Sequence, residues 1–147
     1  MTARDRFTQT RKAVIELNAI HLRIMFNGQD WKPDNVKAPG ISDPTASAAI
    51  YNVDVWEEEL TQLRKREEEL TAFIGLTLAV IRAVRDGLGA EYASILEQRY
   101  IDCLPWRDVV VNGQTVKKST GKLRVSIACD WVDSIGLTRI LRGDIEV

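Results

Sequence analysis

From Val53 to Val84 the chain repeats a single spacing. Val53, Trp56, Leu60, Leu63, Glu67, Leu70, Ile74, Thr77, Ile81 and Val84 follow one another in alternating steps of three and four, and only Glu67 and Thr77 interrupt the apolar series. A 3.5-residue repeat held this long is a helix with one apolar seam, and such a seam is covered by another helix. The cover is an earlier segment folded back as an antiparallel hairpin, a second copy of the chain, or both. Pro44 behind Asp43 suits a first helical residue, and Gly87 and Gly89 form the stop, so the helix is predicted to end at about Asp86.

The blocks Glu57-Glu58-Glu59, Arg64-Lys65-Arg66 and Glu67-Glu68-Glu69 read as a solvated face, with helix pairs such as Arg64–Glu68 worth only tenths of a kcal/mol. Phe73 to Ile81 is apolar nearly all round, which predicts cover on more than one side. Upstream, Phe7, Val14, Leu17 and Ile24, with Thr10 and His21 completing the series, mark one face of a helix from Arg4 to about Phe26, ended by Asn27-Gly28. Pro33, Pro39, Gly40 and Pro44 then give a Pro-rich connecting loop over 28–45, because proline lacks a donor and bars helix just before it. This divides the chain into a helical hairpin or coiled coil over 1–89 and a second region over 90–147.

A third helix is predicted from Ala90 to about Asp102, with Tyr92, Ile95, Leu96, Arg99, Tyr100 and Cys103 on neighbouring faces. Leu104-Pro105-Trp106 breaks it. Pro105 suits the start of a short following helix, which Trp106, Val109 and Val110 would clamp onto the preceding one. Helix, tight turn and short helix is how a helix-turn-helix begins. The expected fold is all-α.

Leu96–Val110, LEQRYIDCLPWRDVV, resembles the start of the sigma-factor region-4-type helix-turn-helix in small phage and prophage transcriptional regulators of the ArpU and RinA kind. Arg99, Tyr100, Ile101, Asp102, Trp106, Val109 and Val110 match that pattern, while Cys103 stands where Gly is usual. Ser42-Asp43-Pro44 before a long charged helix is also similar, so the resemblance covers roughly 40–111. It implies a motif core of Tyr100, Trp106, Val109 and Val110. It also implies double-stranded DNA as partner with RNA polymerase beside it in a bacterial host; the residue inventory offers an enzyme little to stand on, and the charged N-terminus points to the cytoplasm.

The pattern departs after Val111, where the recognition helix belongs. Asn112-Gly113 between VVV and QTV is a hairpin signal near 109–117, and Leu123, Val125, Ile127, Cys129 and Trp131 alternate at the strand period. The competing helix has Thr120 as cap and Leu123, Ile127, Trp131 and Ile135 on its buried face, and this is the preferred reading. Lys122 and Ser126 then lie on the outer arc with Asp130 and Asp133, and Arg124 points toward the apolar side. The acidic pair repels phosphate, so only the N-terminal turn would approach DNA. Lys117, Lys118, Ser119, Thr120 and Lys122 are the phosphate contacts, Arg107 reaches the opposite strand's backbone, and Lys122 and Ser126 are the base readers.

Charge is distributed to match. The net −1 resolves into +3 over residues 1–37, −6 over 38–106 and +4 over 107–142. A basic C-terminal third behind an acidic middle fits a phosphate-binding head on a non-binding body. Other chemistry has little to stand on. Cys103, Cys129 and the single His21 make no zinc spacing, and no cofactor is expected. Ser119-Thr120-Gly121-Lys122 brushes the phosphate-loop pattern, but the first Gly is misplaced and Leu123 stands where a hydroxyl must hold magnesium. The charged start of the chain is not a secretion signal, no apolar run reaches about 18 residues, and a membrane is not an expected partner. Two other readings stay open: a packaging protein resembling a terminase small subunit, and a helical interaction module that binds no DNA. A homodimer through the long helix is compatible with each.

Overall fold

The computed structural model describes residues 1–26 and 46–143. Among them the fold is all-α apart from one two-stranded hairpin. The order is α1 (Ala3–Met25), α2 (Ala46–Leu88), α3 (Ala90–Leu96) continued by a π-helical turn (Glu97–Ile101), a 3-10 turn (Trp106–Asp108), β1 (Val110–Val111), β2 (Gln114–Thr115), α4 (Lys118–Ile135) and α5 (Leu137–Arg142). The predicted Pro-rich loop over 28–45, the Asn27-Gly28 stop and the Ser42-Asp43-Pro44 signature lie outside the described residues. No described helix is long and apolar enough to cross a membrane. Two compact units divide the chain, Glu16–Glu69 and Met1–Ile15 with Leu70–Val147.

In the Glu16–Glu69 unit α1 and α2 run antiparallel: Arg23 Nε donates to Glu59 Oε1 at 2.9 Å, and Arg66 Nε to Glu16 Oε2 at 2.6 Å. The seam is therefore covered here by the hairpin partner. Trp56, Leu60 and Leu63 are half-buried and Ile20 is buried, whereas Val53, the first seam position, is exposed. Glu67, one of the two breaks in the seam, meets His21 Nε2 at 3.1 Å. His21 is itself exposed, so it flanks the α1 face instead of completing it. Arg64 pairs with Glu67 and Arg66 with Glu69 at i,i+3, in place of the expected Arg64–Glu68.

The other unit holds the main core, built from Phe7, Val80, Ile81, Val84, Ile95, Leu96, Val109, Val125, Cys129 and Val132 with their neighbours. Val80, Ile81 and Val84 are almost fully buried, as the apolar girth of this part of α2 predicts, while Leu76 is exposed. Thr77, the second break in the seam, shares a hydrogen bond of 2.8 Å with Thr10 and accepts one from Arg6 Nε at 2.9 Å. Arg6 also donates to the Phe73 carbonyl at 2.7 Å and lies over the Phe73 ring, 3.7 Å from its centroid. Burial holds its pKa below the usual arginine value. Both breaks in the apolar seam are thus matched by polar groups of α1, the device by which a polar seam position fixes register.

Two glycine–tryptophan contacts set α4. A Cβ at Gly121 would overlap the Trp106 ring, and one at Gly87 would overlap the Trp131 ring. The contacts explain why the buried face of α4 differs from the expected one. Gly121, Val125, Ala128, Cys129 and Val132 are buried, whereas Leu123 is 60% and Ile127 39% exposed; Trp131 and Ile135 are half-buried. Close approach of two aromatic rings selects the stripe of small residues over the stripe of large ones. The strand alternative for 123–131 is overturned by the same helix.

The start of α4 also differs. Lys117, extended at φ −62° and ψ 138°, precedes the helix without any side-chain cap, so Thr120 is inside the first turns and does not cap them. The hairpin runs right up to this point, because Val116 N–H donates to the Val109 carbonyl at 3.0 Å. The expected short helix after Pro105 is a single 3-10 turn that passes at once into β1. Val109 is fully buried, but Val110 is 40% exposed and belongs to the strand, so it does not clamp a helix. Val110 pairs with Thr115 and Val111 with Gln114 around Asn112 (φ 53°) and Gly113 (φ 79°). Two positive φ values are what a two-residue hairpin with right-handed twist requires.

Ala in place of Gly121 or Gly87 tests the ring contacts. Helix propensity alone favours Ala by about 1 kcal/mol. Forcing a methyl group into a filled contact costs about 1–3 kcal/mol. Each variant is therefore expected to unfold at lower denaturant concentration than the parent, and a rise in the midpoint would show that the rings move aside freely.

Candidate nucleic-acid interface

The break between α3 and the 3-10 turn is a helix C-terminal motif. Leu104 N–H donates to the Gln98 carbonyl at 2.9 Å and Cys103 has φ 56°, the left-handed conformation of the residue that follows a helix end. Glycine is usual there because it has no Cβ to clash. The position at which the resembled pattern carries Gly is therefore one where the backbone asks for it. Arg99 Nη1 donates to the Leu104 carbonyl at 2.8 Å and its guanidinium lies over the Trp106 ring, 4.6 Å from the centroid. Trp106 is thus held between Arg99 and Gly121.

The π-helical turn points three side chains at three neighbours. Tyr100 stacks on Phe7 with centroids 5.4 Å apart, Arg99 covers Trp106, and Gln98 docks the hairpin. Gln98 Nε2 donates to the Val110 carbonyl at 2.8 Å and its Oε1 accepts from Val110 N–H at 2.9 Å, so one side-chain amide acts as a strand neighbour. On the other side, Arg124 of α4 pairs with Glu91 of α3 at 2.8 Å and lies over Tyr92.

Of the expected phosphate contacts, Arg107, Lys117, Lys118, Ser119 and Lys122 are exposed, and Thr120 is half-buried. Ser126 is half-buried and Asp130 exposed. The Asp133 carboxylate accepts the Ala3 N–H at 2.8 Å. Within the motif core, Tyr100 and Trp106 are half-buried and Val109 is fully buried. Tyr100, Trp106 and Lys122 line one cleft of about 330 Å³, whose remaining walls are Arg4, Arg99 and Val125.

Arg4 and Gln98 had no signal in the sequence. Arg4 reaches the cleft only through the fold, and Gln98 has no local pattern that marks it as a hairpin partner. Leu123 stands exposed between Lys122 and Arg124 on α4, although its size suggested core. Both cysteines are free; Cys129 is buried, and burial pushes its thiol up to about 11, which leaves it almost wholly protonated and inert. Comparison of the chain with protein families, curated proteins and solved structures gave no match.

Cys103→Gly and Cys103→Ala remove the same thiol, whose Sγ makes only long contacts of 3.8–3.9 Å to carbonyl oxygens. At a left-handed helix terminus the Gly variant is expected to be the more stable of the two by about 1 kcal/mol. Equilibrium denaturation measures it; the reverse order, normal elsewhere in a helix, would show that the turn does not require this conformation.

Proposed function

We propose that the chain is a phage- or prophage-encoded DNA-binding transcriptional regulator with a sigma-region-4-like motif, acting at a promoter beside RNA polymerase. The observation that carries this reading is the end of α4 nearest the Trp106 pin. Lys117, Lys118 and Lys122 are exposed there, and none forms an ion pair among the described residues. Cations left unpaired at a helix start, beside free backbone N–H groups, suit phosphate.

The exposed arc beyond them carries Leu123, with Ser126 half-buried one turn on. On this reading Lys122 and Ser126 meet base edges and Leu123 meets a thymine methyl, while Arg107 takes the opposite backbone. Asp130 limits the footprint to the first turns of α4. The hairpin replaces the second helix of the resembled motif and still joins α3 to α4. The helical hairpin of the Glu16–Glu69 unit supplies no phosphate contact in this scheme; on this reading two copies associate through the long helix.

Duplex binding measured against salt tests the proposal. Each phosphate contact contributes about 0.9 to the slope of log affinity against log salt. Replacing Lys117, Lys118 and Lys122 together by Ala is expected to lower that slope by roughly 2–3. A slope unchanged by the triple substitution removes these residues from the interface. A ring of many subunits in light scattering replaces the regulator reading with a packaging one.

A further inference from the structure

The cleft beside Trp106 gathers positive charge that nothing in the described chain neutralises. Arg4 from α1, Arg99 from the π-helical turn and Lys122 from α4 line it, together with Tyr100, Trp106 and Val125, and no carboxylate is among the lining residues. Arg11 adds a further positive charge that acts on Arg99 and reaches Tyr100 along with Arg4 and Arg99. Among the described residues none of Arg4, Arg11, Arg99 and Lys122 forms an ion pair; the neighbouring Arg124 is neutralised by Glu91.

Two of these guanidiniums are also incompletely bonded. Arg99 Nε and Arg11 Nε, like Arg124 Nε beside them, are buried without a hydrogen-bond partner among the described residues, while Arg99 is held in place by the Leu104 carbonyl and the Trp106 face. Asp133 of α4 accepts the Ala3 N–H and does not line the cleft. Like charges drawn together with donors unsatisfied cost stability, and a fold tolerates that where a ligand completes the set. Burial and the Arg11 charge both hold the Arg99 pKa below the usual arginine value, in keeping with a crowded, uncompensated group.

We propose that this cleft is a binding site for a phosphate group, held by Arg4, Arg99 and Lys122 with Trp106 as the wall that fixes Arg99. A fixed guanidinium with two exposed cations around it suits the fork-and-clamp arrangement by which proteins hold tetrahedral oxyanions. The Trp106 ring contacts Arg99 and Gly121. The three cations of the lining are what select phosphate. Lys122 lies one turn beyond Lys118 on α4, which makes the cleft continuous with the basic end of that helix. If the function proposed above holds, the phosphate is a backbone diester of the bound duplex, and Arg4 is a contact far in sequence from the rest of the interface; the phosphate chemistry itself does not depend on that reading.

The test uses the full chain and two probes, inorganic pyrophosphate and a duplex of mixed sequence, followed by the NMR signals of the Arg99 Nε–H and the Trp106 indole N–H. Arg4→Gln and Arg4→Gln/Lys122→Gln are the variants, because both side chains are exposed and form no ion pair among the described residues. With the duplex, both signals are expected to shift in the parent, and Arg4→Gln to weaken binding about 3- to 10-fold with a salt slope lower by about 0.9. With pyrophosphate, a saturable shift of the same signals that is lost in the double variant supports the site even if no duplex binds, and then identifies a small phosphate compound as its ligand. Signals that respond to neither probe, or that respond equally in the double variant, overturn the proposal. Duplex binding unchanged in the Lys117/Lys118 variants, with the pyrophosphate response of the parent still lost in the Arg4/Lys122 double variant, would count against the DNA reading of the tip and leave the cleft standing.

Discussion

Two tryptophan rings laid on two glycines govern how the C-terminal half of this chain packs. Trp106 on Gly121 brings the 3-10 turn against the start of α4, and Trp131 on Gly87 brings the end of α2 against its later turns. Each contact needs the absence of a Cβ on one partner and a rigid ring on the other. The face of α4 that turns inward follows from them, since Gly121, Val125, Ala128 and Cys129 lie along the line that lets the rings approach. Leu123 and Ile127 are left on the outside, next to Lys122.

Polar residues do as much as apolar ones to fix the helix pairing. Glu67 with His21 and Thr77 with Thr10 and Arg6 turn the two flaws in the α2 seam into cross-helix contacts. Sliding the pairing by one turn would leave Thr77, Thr10 or Arg6 buried without its partner, at a cost of about 1–3 kcal/mol for a lost hydrogen bond; the more exposed His21–Glu67 pair contributes less. Gln98 plays a related part at the hairpin, where its amide satisfies both backbone groups of Val110 and lets a strand of two residues persist. An isolated hairpin this short is unstable in water, so its presence depends on that docking.

Function on this view is a matter of where charge is left unpaired. Within the helical hairpin, Glu59, Glu67 and Glu69 of the acidic middle pair with arginines, and Glu16 of α1 does the same. The cations of the Trp106 region have no such partners among the described residues. Arg99 links the two themes: one guanidinium closes the helix end at Leu104, braces the tryptophan and lines the basic cleft.

The long helix, its seam, the helix before it, the break at Leu104-Pro105 and the Asn-Gly turn were all legible in the sequence, because each is dictated by periodicity or by the backbone limits of a particular residue over a few positions. The buried face of α4 was not, since Leu123 and Ile127 outrank Gly121 and Ala128 on any scale of apolarity and only the incoming rings reverse the choice. The helix after Pro105 was misread for a similar reason: Trp106, Val109 and Val110 fit a helical spacing, but Gln98 offers Val110 a better backbone partner from 12 residues away. Lys117, Lys118 and Lys122 could be picked out as a basic run. The meeting of Lys122 with Arg99 and Arg4 could not, because Arg4 is separated from them by most of the chain, and charge clusters assembled across such distances exist only once the core has closed. Local sequence determined the long helices and the break after α3; tertiary packing decided the short turn that follows, which helix faces meet, and so where the free positive charge collects.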